Sequence, residues 1–186
     1  VWIKENISAY GGDPNFIAVT GGSAGGHLCA LAGLTANLPE FQPGFESSDT
    51  EVQAIIPVYA VYDLTNHQRD GLLMRSFLEK HVMSTLFSED QLGWENASPL
   101  FRTFDRGLPV FVIHGDKDCV VPVKQAREFV RKLKKHNNAP ILYAELPGAQ
   151  HGFDIFHSIR TEYHLEAVGE FLHHCYYHHS RRQSNK

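Results

Sequence analysis

Apolar residues in this chain fall into two rhythms. Four short runs are apolar at nearly every position: residues 15–20, 52–59, 109–114 and 141–146. Such runs suit strands buried on both faces of a sheet. Between them the apolar positions recur every three or four residues. His27, Leu28, Ala30, Leu31 and Leu34 suit a small-residue helix over 24–35 that packs closely on a sheet, and Ala126, Phe129, Val130 and Leu133 predict a helix over 123–136 whose other face is Lys and Arg. Phe156, Ile159, Tyr163, Val168, Phe171, Leu172 and Cys175 predict a last helix over about 155–176, and Val1, Trp2, Ile3, Ile7 and Tyr10 a helix end stopped by Gly11-Gly12. Residues 37–50, rich in Pro, Ser and acids, read as a surface loop. From 66 to 94 the pattern is helical but irregular, as in a helical, cap-like insertion.

Strands that alternate with helices imply parallel neighbours joined by right-handed crossovers, and so an α/β sheet with helices on both faces. In such sheets ligands gather at the carboxyl ends of the strands. With 186 residues the chain has room for one domain. A hydrophobic content of 42% excludes a disordered chain. Charge excludes bulk attraction to nucleic acid or an anionic membrane, since 17 basic residues face 21 acidic ones. No apolar run reaches the 18 or so residues of a membrane span. Cys29, Cys119 and Cys175 are odd in number and widely spaced, which favours free thiols over a disulfide framework or a zinc site.

The candidate chemistry sits in the three loops that follow predicted strands. Gly21-Gly22-Ser23-Ala24-Gly25 fits G-x-S-x-G between a buried strand and a small-residue helix, the setting of a nucleophile elbow. At so sharp a turn, Gly21, Ala24 and Gly25 are expected to be small because larger side chains would collide with neighbouring backbone. Ser23 then lies at a helix N-terminus, where the Ala24 N–H can face an oxyanion. A serine hydroxyl needs a base to take its proton and a carboxylate to orient that base. His151, in Gly148-Ala-Gln-His-Gly-Phe153, and Asp118, in His114-Gly-Asp-Lys-Asp118, supply both in the chain order Ser, Asp, His. Asp116 competes with Asp118 for the third role and otherwise fixes the turn. His27 and His114 read as structural, and His173, His174, His178 and His179 as a solvated helix end. No spacing suggests a catalytic metal. Tyr59, Tyr62, Trp94 and Phe153 are candidates for lining a pocket or for the core.

Three separated segments, residues 19–28, 114–122 and 146–153, resemble the fold-3 α/β-hydrolase carboxylesterases related to hormone-sensitive lipase. The resemblance covers nearly the whole chain. It implies Ser23 as nucleophile, His151 as general base and then acid, Asp118 as its partner, Ala24 N–H as an oxyanion donor, an ester as substrate and no cofactor. Gly22 stands where that family usually has Asp, which shifts the likeness toward bacterial-type carboxylesterases and the kynurenine formamidase and prenylcysteine methylesterase branch. The family's His-Gly-Gly-Gly oxyanion segment and the four strands that precede the elbow have no counterpart here. The chain is therefore expected to be the C-terminal portion of such an enzyme, with little activity alone and with targeting information upstream. The strand before the elbow, central in a complete sheet, would then be an edge. Two rival functions stay open: an amide or formamide hydrolase with the same triad, and a noncatalytic hydrolase-fold binding module.

Overall fold

The computed structural model describes residues 1–65, 72–103 and 106–184. Four strands form one sheet in the order β1 (Ala18–Gly22), β2 (Ala54–Val58), β3 (Val110–Gly115) and β4 (Ile141–Leu146). Every neighbouring pair is parallel. Helix α2 (Ala24–Leu34) lies between β1 and β2, the short helices α3 (Leu72–Leu78) and α4 (Gln91–Asn96) between β2 and β3, and α5 (Val123–His136) between β3 and β4; α6 (Ile159–Ser184) follows the last strand and α1 (Trp2–Asn6) precedes the first.

The two central strands are buried at every position. Their side chains alternate between two cores, as the period of two along a strand requires. Ile55, Val110 and Val112 pack with Cys29, Leu34, Phe129 and Leu133 of α2 and α5, while Ile56, Phe111 and Ile113 pack with Phe171 and Cys175 of α6. Helix α5 buries the four residues its pattern predicts. Helix α2 approaches the sheet closely because it is built from small residues: a Cβ on Gly33 would come within 2.5 Å of Ile55 Cγ2.

Several boundaries differ from expectation. β1 starts at Ala18 and is only partly buried, since it is an edge of the described sheet. The first helix divides into α1 and a 3-10 turn over Ile7–Tyr10. Its apolar face stays open, with Trp2 61% and Tyr10 74% exposed. α6 begins at Ile159, where the Ser158 hydroxyl receives the Thr161 N–H; Phe156 lies before it, 81% exposed. In the expected insertion, residues 66–71 lie outside the described residues. The remainder forms α3, a π turn over Glu79–Met83, and α4, around a small core of Leu64, Leu78 and Trp94. None of the described helices is long and apolar enough to cross a membrane.

Candidate active site

Ser23 stands on the turn between β1 and α2 with φ 56° and ψ −118°. An L-residue in this region carries roughly 1–3 kcal/mol of strain and keeps it only where its surroundings overdetermine it. Two backbone bonds do so here. Ser23 N–H donates to Val58 O at 3.0 Å, and Ser23 O accepts from His27 N at 2.9 Å. The Ser23 hydroxyl makes no capping bond to α2, so it is left for another partner. Ala24 is the first residue of α2, and its N–H is among those for which helix geometry supplies no intrahelical acceptor.

The space around the elbow differs from glycine to glycine. A Cβ on Gly21 would lie 2.5 Å from the carbonyl carbon and oxygen of Gly25. One on Gly26 would meet Ala60 Cβ and Gly21 O at 2.8 Å and Val58 O at 2.9 Å. One on Gly25 would meet nothing within 4 Å. The tight pair is therefore Gly21 and Gly26, and Gly25 contributes a backbone against which Gly21 packs. Gly22 has its own reason to lack a side chain, since a Cβ there would lie 2.5 Å from the Tyr59 hydroxyl oxygen.

The loops after β3 and β4 are tied to each other before they reach the serine. Lys117 N–H donates to Ala149 O at 3.0 Å, and Gly148 N–H to Asp116 Oδ1 at 2.7 Å. Asp116 thus fixes the paired turns, and Asp118 is the acid that meets the histidine. His151 Nδ1 lies 2.8 Å from Asp118 Oδ2, and His151 Nε2 lies 2.8 Å from Ser23 Oγ. Ser23, His151 and Asp118 form one continuous hydrogen-bonded line.

The Asp118 side chain is wholly buried. Burial alone would push its carboxyl upward. Hydrogen bonds from His114 and His151, with the N–H groups of Val121 and Val120, outweigh that and hold it at about 2. Val120 and Val121 donate to Oδ1 at 2.9 and 2.8 Å. His114 Nε2 lies 3.2 Å from Oδ2 and 3.0 Å from Val121 O, so its N–H is shared between carboxylate and carbonyl. This fixes the Nε2–H tautomer of His114.

The other candidates sort clearly. His27 Nδ1 bonds Val61 O at 2.9 Å, a structural contact. Tyr62 is stacked on Phe129 at 4.2 Å and Trp94 is fully buried, so both belong to the core and not to a pocket. Tyr59 and Phe153 lie beside the site, with ring centroids 5.5 Å apart. Asp154, which sequence reasoning passed over, accepts the Tyr59 hydroxyl at 2.6 Å. Only its place three residues after His151 could have marked it. All three cysteines are free; Cys29 and Cys175 are buried and Cys119 is exposed. Burial pushes the Cys29 thiol up to about 12, which leaves it a packing group. Among the described residues no group of three or more His, Cys, Asp or Glu is arranged to hold a metal ion.

The sequence model of the BD-FAE family matches residues 1–133. The chain belongs to that family and, with it, to the α/β-hydrolase carboxylesterases. It is 48% identical over 171 residues to esterase LipQ of Mycobacterium tuberculosis, covering 92% of this chain and 41% of LipQ. It is 43% identical over 187 residues to esterase LipC of the same organism, covering 100% of this chain and 46% of LipC. Among solved structures, Thermogutta terrifontis esterase 2 phosphonylated by sarin superposes with a TM-score of 0.73 at 26% identity, covering 92% of this chain and 61% of that one. The chain thus spans less than half the length of these two curated relatives.

Proposed function

We propose that this BD-FAE family chain carries the reacting side chains of a serine carboxylic-ester hydrolase. The observation that carries the proposal is the line from Ser23 Oγ through both nitrogens of His151 to Asp118, with 2.8 Å at each step. A buried carboxylate held ionised keeps the proton on His151 Nδ1 and leaves Nε2 free to accept one, which is the tautomer a general base needs.

In the proposed reaction Ser23 Oγ bonds to the ester carbonyl carbon while its proton passes to His151 Nε2. Charge develops on the carbonyl oxygen, and the Ala24 N–H, which has no intrahelical acceptor at the start of α2, is the donor assigned to it. A single donor of this kind is worth on the order of 10²–10³ in rate. Collapse of the tetrahedral species breaks the carbon–oxygen bond to the alcohol, which leaves with the proton from His151. Water then gives a proton to His151 Nε2, attacks the acyl carbon and releases the acid, and Ser23 regains its hydrogen. Atoms and charge balance without a cofactor. Asp118 stays ionised throughout and stabilises the imidazolium formed at each step. The substrate class is a small-molecule carboxylic ester, in keeping with relatives named esterases.

Because the T. terrifontis relative is phosphonylated by sarin, a fluorophosphonate is the fitting probe. The full-length protein that carries this chain is expected to be labelled on Ser23 and to lose labelling in Ser23→Ala. Absence of labelling, or equal labelling of the variant, would refute the proposal.

A further inference from the structure

Tyr59 joins the elbow to the loop that carries His151, although it contributes to neither. It follows β2 directly and sits at φ +36°, a left-handed conformation that a bulky L-residue seldom adopts. Its N–H donates to Ile113 O at 2.8 Å, which pins this unusual backbone to β3. Strain of this kind at a strand end aims a side chain where an ordinary extended residue could not send it.

That side chain is buried, and each part of it touches the site. The ring lies in an edge-to-face arrangement with the His151 imidazole at a centroid distance of 4.8 Å. The hydroxyl donates to Asp154 Oδ1 at 2.6 Å across 95 residues of sequence. Burial and the neighbouring carboxylate both push the phenol up, so it stays protonated and remains a donor. The ring also occupies the space next to Gly22, where a Cβ would lie 2.5 Å from the hydroxyl oxygen and 2.8 Å from Cε2 and Cζ.

The two hydrogen bonds of His151 hold its ring only by the two nitrogens, which leaves it the swing about Cβ–Cγ that two 2.8 Å bonds can follow. A contact against the side of the ring removes that freedom. We infer that Tyr59 is a positioning residue for His151. Its ring stops the imidazole tilting, its bond to Asp154 anchors the segment just after His151, and Gly22 lacks a side chain because Tyr59 fills that space. The inference rests on the reading of Ser23 as nucleophile and His151 as base.

The test uses the full-length protein, with ester turnover, fluorophosphonate labelling and the low-field NMR resonance of the His151 Nδ1 proton as readouts. Tyr59→Phe keeps the ring and loses the anchor. It is expected to lower kcat about tenfold with KM within about twofold, and to broaden or shift the resonance. Asp154→Ala should reproduce this, and the double variant should be no slower than the worse single, because both remove one bond. Gly22→Ala should lower kcat in the wild type and have little further effect in Tyr59→Ala, where the space is empty. Ser23-dependent labelling in the wild type together with unchanged kcat and resonance in both Tyr59→Phe and Asp154→Ala would overturn this inference alone. Absence of Ser23-dependent labelling would overturn the nucleophile reading and this inference with it.

Discussion

His151 Nε2 lies 2.8 Å from Ser23 Oγ although 128 residues separate them in the chain. The contact depends on two turns set on different strands of one parallel sheet. If the pair acts as one unit, their losses will not add. Ser23→Ala and His151→Ala are each expected to lower kcat by about 10⁵–10⁶, and the double variant by no more than the worse single. Steady-state ester hydrolysis by the three variants measures this, and multiplicative losses would contradict it.

The two acids after β3 should behave differently. Asp118→Asn removes the acceptor that sets the His151 tautomer and is expected to lower kcat by about 10³–10⁴ with KM little changed. Asp116→Asn weakens the bond from Gly148 N–H and should destabilise by about 1 kcal/mol while keeping kcat within about tenfold. Kinetics and denaturant midpoints of the two variants check the assignment.

Asp118 also ties stability to acid pH. Its carboxyl is held at about 2 in the fold, below the ordinary carboxylate value. The folded state therefore prefers the ionised form. The stabilisation is fully present above pH ~4 and is lost as pH falls through about 2, and its size is about 2 kcal/mol. Denaturant unfolding between pH 5 and pH 2 should show wild-type protein losing roughly that much more stability than Asp118→Asn.

Glycine substitutions at the elbow should separate by space. Gly26→Ala drives a Cβ to 2.8 Å from Gly21 O and 2.9 Å from Val58 O and is expected to destabilise by several kcal/mol, as overpacking against backbone does. Gly25→Ala meets nothing within 4 Å and should leave stability unchanged or raise it by about 0.5–1 kcal/mol, since alanine favours a helix. Thermal unfolding of both variants decides the matter.

The alternation of solid apolar runs with 3.6-periodic stretches was enough to predict four parallel strands with helices between them. A strand buried on both faces has no polar face to show, and a helix on a sheet must repeat its apolar stripe. The elbow was equally legible, because a sharp strand-to-helix turn restricts its neighbours to small residues. Serine, acid and histidine could be named because each follows a strand, and parallel strands bring their carboxyl ends together.

Tertiary structure decided the rest. Helix starts depended on single caps such as Ser158, which periodicity does not register. G-x-S-x-G drew attention to Gly25, yet whether a Cβ fits depends on the backbone it faces, and that selects Gly26. Asp116 and Asp118 are both two-carbon acids in one turn. Only the path of the loop, with the Val120 and Val121 N–H groups and His114 around one carboxylate, aims Asp118 at His151. The bond from Tyr59 to Asp154 leaves no trace in local pattern. Periodicity reports which face of an element is apolar, whereas a contact across 95 residues exists only once the sheet has set the distance between two loops.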